Sequence, residues 1–262
     1  VLAASDRAVR ATGGAFDPTV GPLTRLWRRA LRDGEWPRSD RWNAARSRCG
    51  WERLVAIRGS VSNMEVRLGT QEMRLDFGGI AKGVAVDEAL AAVVARGVSR
   101  VLVDGGGDLA AFVPPPGTDG WRVAVAPFEG ASPRWYLLAR AAIATSGDRY
   151  QRSALHGTPL AGVEGSATHY GHVLDPRSGL PLEAPRAAVM TAATATEADA
   201  FATARLVLGA LPSTATELER GLFFAPDETK PCVGAAFPHD GVTPFDRDAA
   251  AEGDTNSTRR DE

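Results

Sequence analysis

Arg100-Val101-Leu102-Val103 runs directly into Asp104-Gly105-Gly106-Gly107-Asp108, and Leu109-Ala110-Ala111-Phe112-Val113 follows before Pro114-Pro115-Pro116. The reading of residues 100–116 decides the fold. Gly105, Gly107 and Ala110 nominally match the relaxed glycine fingerprint of dinucleotide-binding folds, in which a helix opens at the third position and turns its N-terminus to a pyrophosphate. Here residues 109–113 have strand composition and end at three prolines, so the glycines make a tight turn between two strands. Three glycines followed by Asp still let backbone approach a ligand closely.

Outward from that turn, strands outnumber helices. The patterning predicts helices over 2–12, stopped by Gly13-Gly14, over 22–31 with Pro22 in the first turn, and over 79–96, closed by Gly97. Residues 33–50 are polar and punctuated by Trp, a loop with a short helix. Strands are predicted over 54–58, 64–68, 73–77, 100–103, 109–113, 121–126, 135–144, 169–174 and 187–193, with a late helix over 196–208 and a last strand over 221–225. Residues 151–168 form a polar, Gly-rich excursion. Strands and helices that do not strictly alternate indicate an α+β, or mixed α/β, domain. That domain is placed at 1–240, and the polar stretch 241–262 is read as a disordered tail.

Composition narrows the function. The 262 residues carry a net charge of −2 and a pI near 6.2, which argues against a general nucleic-acid binder. No stretch approaches the roughly 18 apolar residues of a membrane helix. Cys49 and Cys232 cannot make a disulfide framework or a metal-spaced cluster, although one bridge is open to them. Of 30 basic residues only Lys82 and Lys230 are lysines, which draws attention to Lys82. Val1 is not Met and opens in a helical pattern, as expected of a processed or truncated amino terminus.

Several motifs carry chemistry. Asp76-Phe77-Gly78 and Val55-Ala56-Ile57-Arg58 imitate kinase signatures, but position 58 is Arg, no His-Arg-Asp loop exists and the two lie too close together. In Asp76-Phe77-Gly78-Gly79-Ile80-Ala81-Lys82-Gly83 a strand ends in a carboxylate, two glycines free the backbone and a helix begins. Helix N-termini bind phosphates, and Lys82 adds a point charge one turn in. Gly79 could turn its carbonyl toward a cation. The plainer alternative is a strand-to-helix turn with a solvated lysine. In the helix opened by Thr196-Glu197-Ala198-Asp199, Asp199 and Thr203 are four apart and share a face. A carboxylate with a hydroxyl suits a hard cation such as Mg²⁺; the plainer alternative is capping, with Thr196 as N-cap and Asp199 in the first turn. His172 precedes the turn Asp175-Pro176, and the spacing of His156, His169, His172 and His239 selects no metal cluster.

Taken together these blocks resemble the ApbE family of FAD:protein FMN transferases. Gly14-Ala15-Phe16-Asp17-Pro18-Thr19-Val20-Gly21-Pro22-Leu23 is followed in order by Asp76–Gly83 with Val86-Asp87, Gly106-Gly107-Asp108, Ala144-Thr145-Ser146-Gly147-Asp148, His172-Val173-Leu174-Asp175-Pro176-Arg177-Ser178-Gly179 and the stretch 196–203. The resemblance spans about residues 10–210. It implies a single ApbE-like, T-fold-like domain with mixed sheets flanked by helices. It implies that Ala15, Phe16, Asp17, Asp76, Lys82 and Val173 hold FAD, that Mg²⁺ sits between the carbonyl of Gly79 and the side chains of Asp199 and Thr203, and that His172 acts as base, with Asp199 also counted catalytic. The implied reaction transfers FMN from FAD to a Thr or Ser hydroxyl of an acceptor protein, and AMP leaves. An FAD pyrophosphatase or a non-catalytic flavin-binding protein are the alternatives. The family's usual preceding flavin-contacting segment is not in this sequence, and Asp104 and Gly105 stand where many members have Asn and an apolar residue. The resemblance suggests the extracytoplasmic side of a bacterial membrane and leaves the cytoplasm open.

Overall fold

A computed structural model describes residues 1–60, 63–126, 128, 132–147, 155, 160, 169–183, 186–209, 221–224, 232–233 and 242–245, with backbone alone for 55–60, 63–65 and everything from 221 onward. The helices are α1 (Leu2–Ala11), α2 (Gly21–Asp33), α3 (Ser39–Arg46), α4 (Ala81–Val94) and α5 (Ala195–Leu208). The strands are β1 (Leu54–Ser60), β2 (Asn63–Leu68), β3 (Leu102–Asp104), β4 (Leu109–Ala111), β5 (Trp121–Val125), β6 (Arg134–Leu138), β7 (Ala141–Gly147), β8 (Tyr170–Asp175), β9 (Leu180–Glu183), β10 (Ala187–Ala192), β11 (Gly221–Phe224), β12 (Cys232–Val233) and β13 (Val242–Phe245). The expected α+β class holds, and within it every described strand pair is antiparallel.

A six-stranded sheet in the order β12-β11-β10-β7-β4-β3 forms the centre. Its middle strands are covered on both sides, so they read as continuous apolar runs rather than alternating ones. Alternation nevertheless sorts their side chains. Ala141, Ile143, Ala187 and Val189 meet Val123, Val125, Tyr136 and Leu138 of a second sheet, β13-β6-β5. Ala142, Ala144, Met190 and Ala192 face the other way, onto Val86, Ala195, Ala198 and Ala202 of α4 and α5. Alanine on both surfaces lets α5 lie close to the sheet, and the small residues bring the start of α5 to the start of α4. A Cβ on Gly83 would collide with the Ala195 carbonyl, so the two helix starts touch through backbone.

A further layer holds a hairpin beside these helices. Leu23, Trp27, Ala30, Trp42 and Ala45 of α2 and α3 bury Tyr170 and Leu174 of β8. The Trp27 indole donates to the Gly171 carbonyl (2.9 Å) and the Trp42 indole to the Gly179 carbonyl (3.1 Å). Buried indole N–H groups need such partners, and here they pin both ends of the β8–β9 hairpin.

Four expectations need correction. Residues 73–77 are not a strand; Glu72 adopts φ +62° and the Asp76 amide bonds to the Pro18 carbonyl instead of to a neighbouring strand. The single strand 135–144 is two, β6 and β7, in different sheets. The chain reverses at Ala139-Arg140, where Arg140 takes φ +50° without a glycine, held by its amide on the Phe112 carbonyl (2.9 Å) and its guanidinium over the Phe112 ring (4.3 Å). The N-cap of α5 is Thr194, whose hydroxyl accepts from the Glu197 amide, not Thr196. Within the stretch read as tail, Val242–Phe245 is a strand on β6; residues 246–262 lie outside the described residues. Most of the 151–168 excursion and the side chain of Cys232 do too, while Cys49 carries a free thiol. Among the described residues no helix is long and apolar enough to cross a membrane.

Candidate active site

Two helix starts and three loops meet at one pocket. Its floor is the crossing of α4 and α5, locked by a reciprocal exchange of carboxylates. Asp87 of α4 accepts the Ala195 and Thr196 amides at the start of α5 (2.8 and 2.9 Å) and the Thr196 hydroxyl. Asp199 of α5 accepts the Gly83 amide at the start of α4 (3.1 Å). Each helix thus satisfies orphan N–H groups of the other, which explains why α4 needs no side-chain cap of its own. Asp87 was given no role by the sequence, because capping from another helix is visible only once the helices cross.

The triple-glycine turn supplies the next part. Asp104 accepts the Gly106 and Gly107 amides (both 2.9 Å), and those glycines take φ +80° and +96°, closed to most other residues. The segment 104–109 is therefore a strand-to-strand turn, as its prolines indicated. It delivers Asp108 to a fully buried position beneath Lys82, whose Nζ lies 2.6 Å from Asp108 Oδ2. Sequence reasoning gave Asp108 no role. A signal was there: Asp108 and Ala110 point to the same side of a strand, and Ala110 is core.

Asp108 also acts on Asp199. The Asp199 carboxyl is pushed up to about 7: burial raises it most, the Asp108 charge and a hydrogen bond to Asp108 add to that, and Lys82 and the Gly83 amide pull against them. Asp108 Oδ1 has no hydrogen-bond partner among the described residues. Two buried carboxylates beside one ammonium are relieved by a proton on Asp199 near neutral pH, and a divalent cation could take that proton's place. Gly79 and Thr203 lie beside Asp199 on the same pocket wall. A Cβ on Gly79 would stand 2.8 Å from Thr203 Oγ1, so the Gly79 backbone lies against that hydroxyl. Carboxylate, hydroxyl and carbonyl oxygen are the donors a hard divalent cation takes. Among the described residues no three His, Cys, Asp or Glu side chains gather as an all-side-chain metal cage, so such an ion would rely on water or a ligand for its remaining positions.

The rim comes from loops with internal ties. Asp17 accepts the Thr19 amide and hydroxyl (2.8 and 2.7 Å) and the Trp51 amide (3.2 Å), and burial raises its carboxyl above the usual range. Asp76 accepts the Gly78 amide (2.9 Å), the Thr24 hydroxyl (2.8 Å) and an Arg28 ion pair (2.9 Å). Both carboxylates shape the loops that carry them. His172 and Val173 lie where β8 departs from register with β9, between Tyr170 and Leu174, and such irregularities re-aim side chains next to sites.

The pocket encloses about 390 Å³. Ala15, Phe16, Asp17, Asp76, Gly79, Lys82, His172, Val173, Asp199 and Thr203 all line it, so every residue singled out from the sequence reaches one space. Thr24, Arg28, Thr145 and Ser146 line it as well and had been given no role, and Gly106 brings the triple-glycine turn to it. Lys82 is the point of difference: it is half-exposed to the pocket, but one of its three donors is taken by Asp108.

Comparison with known proteins bears on this arrangement. The ApbE family model matches residues 1–220. The chain is 30% identical over 236 residues to the FAD:protein FMN transferase of Treponema pallidum (strain Nichols), covering 83% of this chain and 62% of that protein. It is 30% identical over 230 residues to the FAD:protein FMN transferase of Escherichia coli (strain K12), covering 84% and 61%. The apo crystal structure of the Pseudomonas stutzeri flavinyl transferase ApbE superposes with a TM-score of 0.67 at 27% identity, covering 90% of this chain and 74% of that one. The chain therefore spans about three fifths of the length of the two curated relatives. With a match over residues 1–220 and those blocks gathered at one pocket, the chain belongs to the ApbE family.

Proposed function

We propose that this chain performs FAD:protein FMN transfer, dependent on Mg²⁺, to a Thr or Ser hydroxyl of an acceptor protein. The observation that carries the reading is the convergence of all ten singled-out residues on one pocket, next to two buried carboxylates beside one ammonium. The relatives named above are FAD:protein FMN transferases.

The substrate's pyrophosphate lies over the start of α4, where the Gly78-Gly79 backbone allows close approach and Lys82 has two donors left after Asp108. Asp199, Thr203 and the Gly79 carbonyl would hold Mg²⁺, and Asp108 adds charge beside them. Bound there, the ion neutralises charge on the transferring phosphoryl group. Asp17 and Asp76 keep the rim loops in shape while Ala15, Phe16 and Val173 give apolar contact. The acceptor oxygen attacks the phosphorus of the FMN half, its proton passes to His172, and the bond to the bridging oxygen breaks. AMP leaves with that oxygen, and FMN stays on the acceptor as a phosphoester. A histidine changes charge close to neutral pH and suits this proton transfer.

The test is chromatographic. Chain, FAD and Mg²⁺ are incubated with and without EDTA and with and without a Thr-bearing acceptor, and AMP is quantified. The reading expects AMP only with Mg²⁺ and faster with acceptor. AMP formation that ignores the acceptor favours the pyrophosphatase, and no AMP under any condition favours a flavin-binding protein.

A further inference from the structure

A second, larger concavity of about 1010 Å³ opens beside the pocket and shares Thr24, Arg28 and Asp76 with it. Its wall is one face of α2. Arg25, Arg28, Arg29 and Arg32 follow the i, i+3, i+4, i+7 spacing, while Leu23, Trp27 and Ala30 bury the opposite face. Among the described residues Arg41, Arg48 and Arg74 also line it, with Glu72 and Asp76 as its acidic residues. Arg28 pairs with Asp76, Arg48 with Glu72, and Arg29 and Arg32 share Asp33. Arg25, Arg41 and Arg74 make no ion pair among the described residues. This local excess of positive charge stands out in a chain of net charge −2.

Resting on the transferase reading, we infer that this groove docks an acidic stretch of the acceptor protein and leads its hydroxyl past Arg28 into the pocket. A reaction between a small dinucleotide and a protein needs a surface for the protein, contiguous with the reacting phosphorus. The groove meets that condition through the residues it shares with the pocket. Guanidinium groups repeated along a helix face match carboxylates repeated along a polypeptide, each able to pair through two hydrogen bonds. Nucleic acid is the weaker occupant. Among the described residues of the lining Phe77 alone is aromatic, which offers little to stack bases on.

Fluorescence anisotropy on the whole chain tests this with two labelled peptides. One carries a single Thr flanked by Asp and Glu; the other has Asn and Gln in place of those acids. The acidic peptide is expected to bind at least about tenfold more tightly, with the advantage largely lost between about 50 mM and 500 mM NaCl. Arg25→Glu/Arg41→Glu should remove that preference, and Arg25→Gln/Arg41→Gln should halve it on a logarithmic scale, both without changing AMP release from FAD in the absence of acceptor. Three results overturn the inference: equal binding of the two peptides, an acidic peptide insensitive to both variants, or displacement by a single-stranded oligonucleotide as effectively as by unlabelled peptide. Sedimentation showing the groove variants, but not the parent, to be monomeric also overturns it, in favour of a second copy. Peptide binding is read without FAD, so failure of the transferase reading appears separately, as FAD that is never turned over.

Discussion

Lys82 and Asp108 decide more about this site than either suggests alone. Asp108 is fully buried and Lys82 is its ion-pair partner, so Lys82 is not the freely solvated lysine that one plain reading of its helix turn would give. Removing one member of a buried pair leaves an uncompensated charge. With Lys82 half-exposed, the cost of Lys82→Ala should fall near the lower end, about 1–3 kcal/mol, seen as a fall of several degrees in melting temperature. Lys82→Ala/Asp108→Asn should recover most of that loss, and FAD affinity should stay weakened in both; an unchanged melting temperature for the single variant would contradict the pairing. Asp199 carries a pH signature. Its carboxyl is raised to about 7 by burial, against about 3.9 in an unfolded chain. The folded state therefore binds the extra proton, and this group's stability contribution, present below about pH 4, is lost as pH rises through about 7. An ion that binds the carboxylate offsets that loss. Mg²⁺ should raise the melting temperature more at pH 8 than at pH 5.5, and Asp199→Asn should flatten the difference. Equal shifts at both pH values would remove Asp199 from the ion's ligands.

At the scale of elements, the crossing of α4 and α5 sets the geometry. Asp87→Ala removes the acceptor of the Ala195 and Thr196 amides and should cost about 1–2 kcal/mol, as loss of a helix cap does. Because Asp87 sits on the other helix, it should also loosen the Asp199–Gly83 contact and weaken Mg²⁺ binding in calorimetry; stability loss with unchanged Mg²⁺ affinity would make Asp87 a cap alone. The sequence made the helix starts legible, since Gly78-Gly79, Asp199 and Thr203 are local patterns with local causes. It did not make the crossing legible, because Gly83 against Ala195 and Asp87 against the start of α5 are contacts across about 110 residues of chain. The merged strand 135–144 failed for the same kind of reason. Arg140 turns the chain with a left-handed φ supported by Phe112, a partner no local propensity announces. Residues 73–77 had strand composition, but the Asp76 amide finds its partner in the Pro18 carbonyl, at the start of a single 3-10 turn.

Over the whole molecule, a sheet covered on both faces carries a pocket at the ends of β7 and β8, where helix starts, hairpin and loops from residues 15 to 203 meet. The site was legible from the sequence to the extent that ordered motifs resembled a family. Asp108, Thr24 and Arg28 were not, because their places depend on a buried strand position and on the face of α2 turned to the pocket. His172 tests the chemical half of the account. His172→Ala should slow single-turnover transfer by about 10²–10⁴-fold, the usual range for a general base, with FAD and Mg²⁺ affinities nearly intact; an unchanged rate and pH profile would leave His172 as pocket wall only. The central claim is the transfer itself, and the intact mass of an acceptor protein after incubation with this chain, FAD and Mg²⁺ reads it directly. The account predicts an acceptor heavier by one FMN phosphoester, matched by an equal amount of AMP and lost when the acceptor Thr is replaced by Val. An acceptor of unchanged mass beside free FMN and AMP, or beside intact FAD, would contradict it.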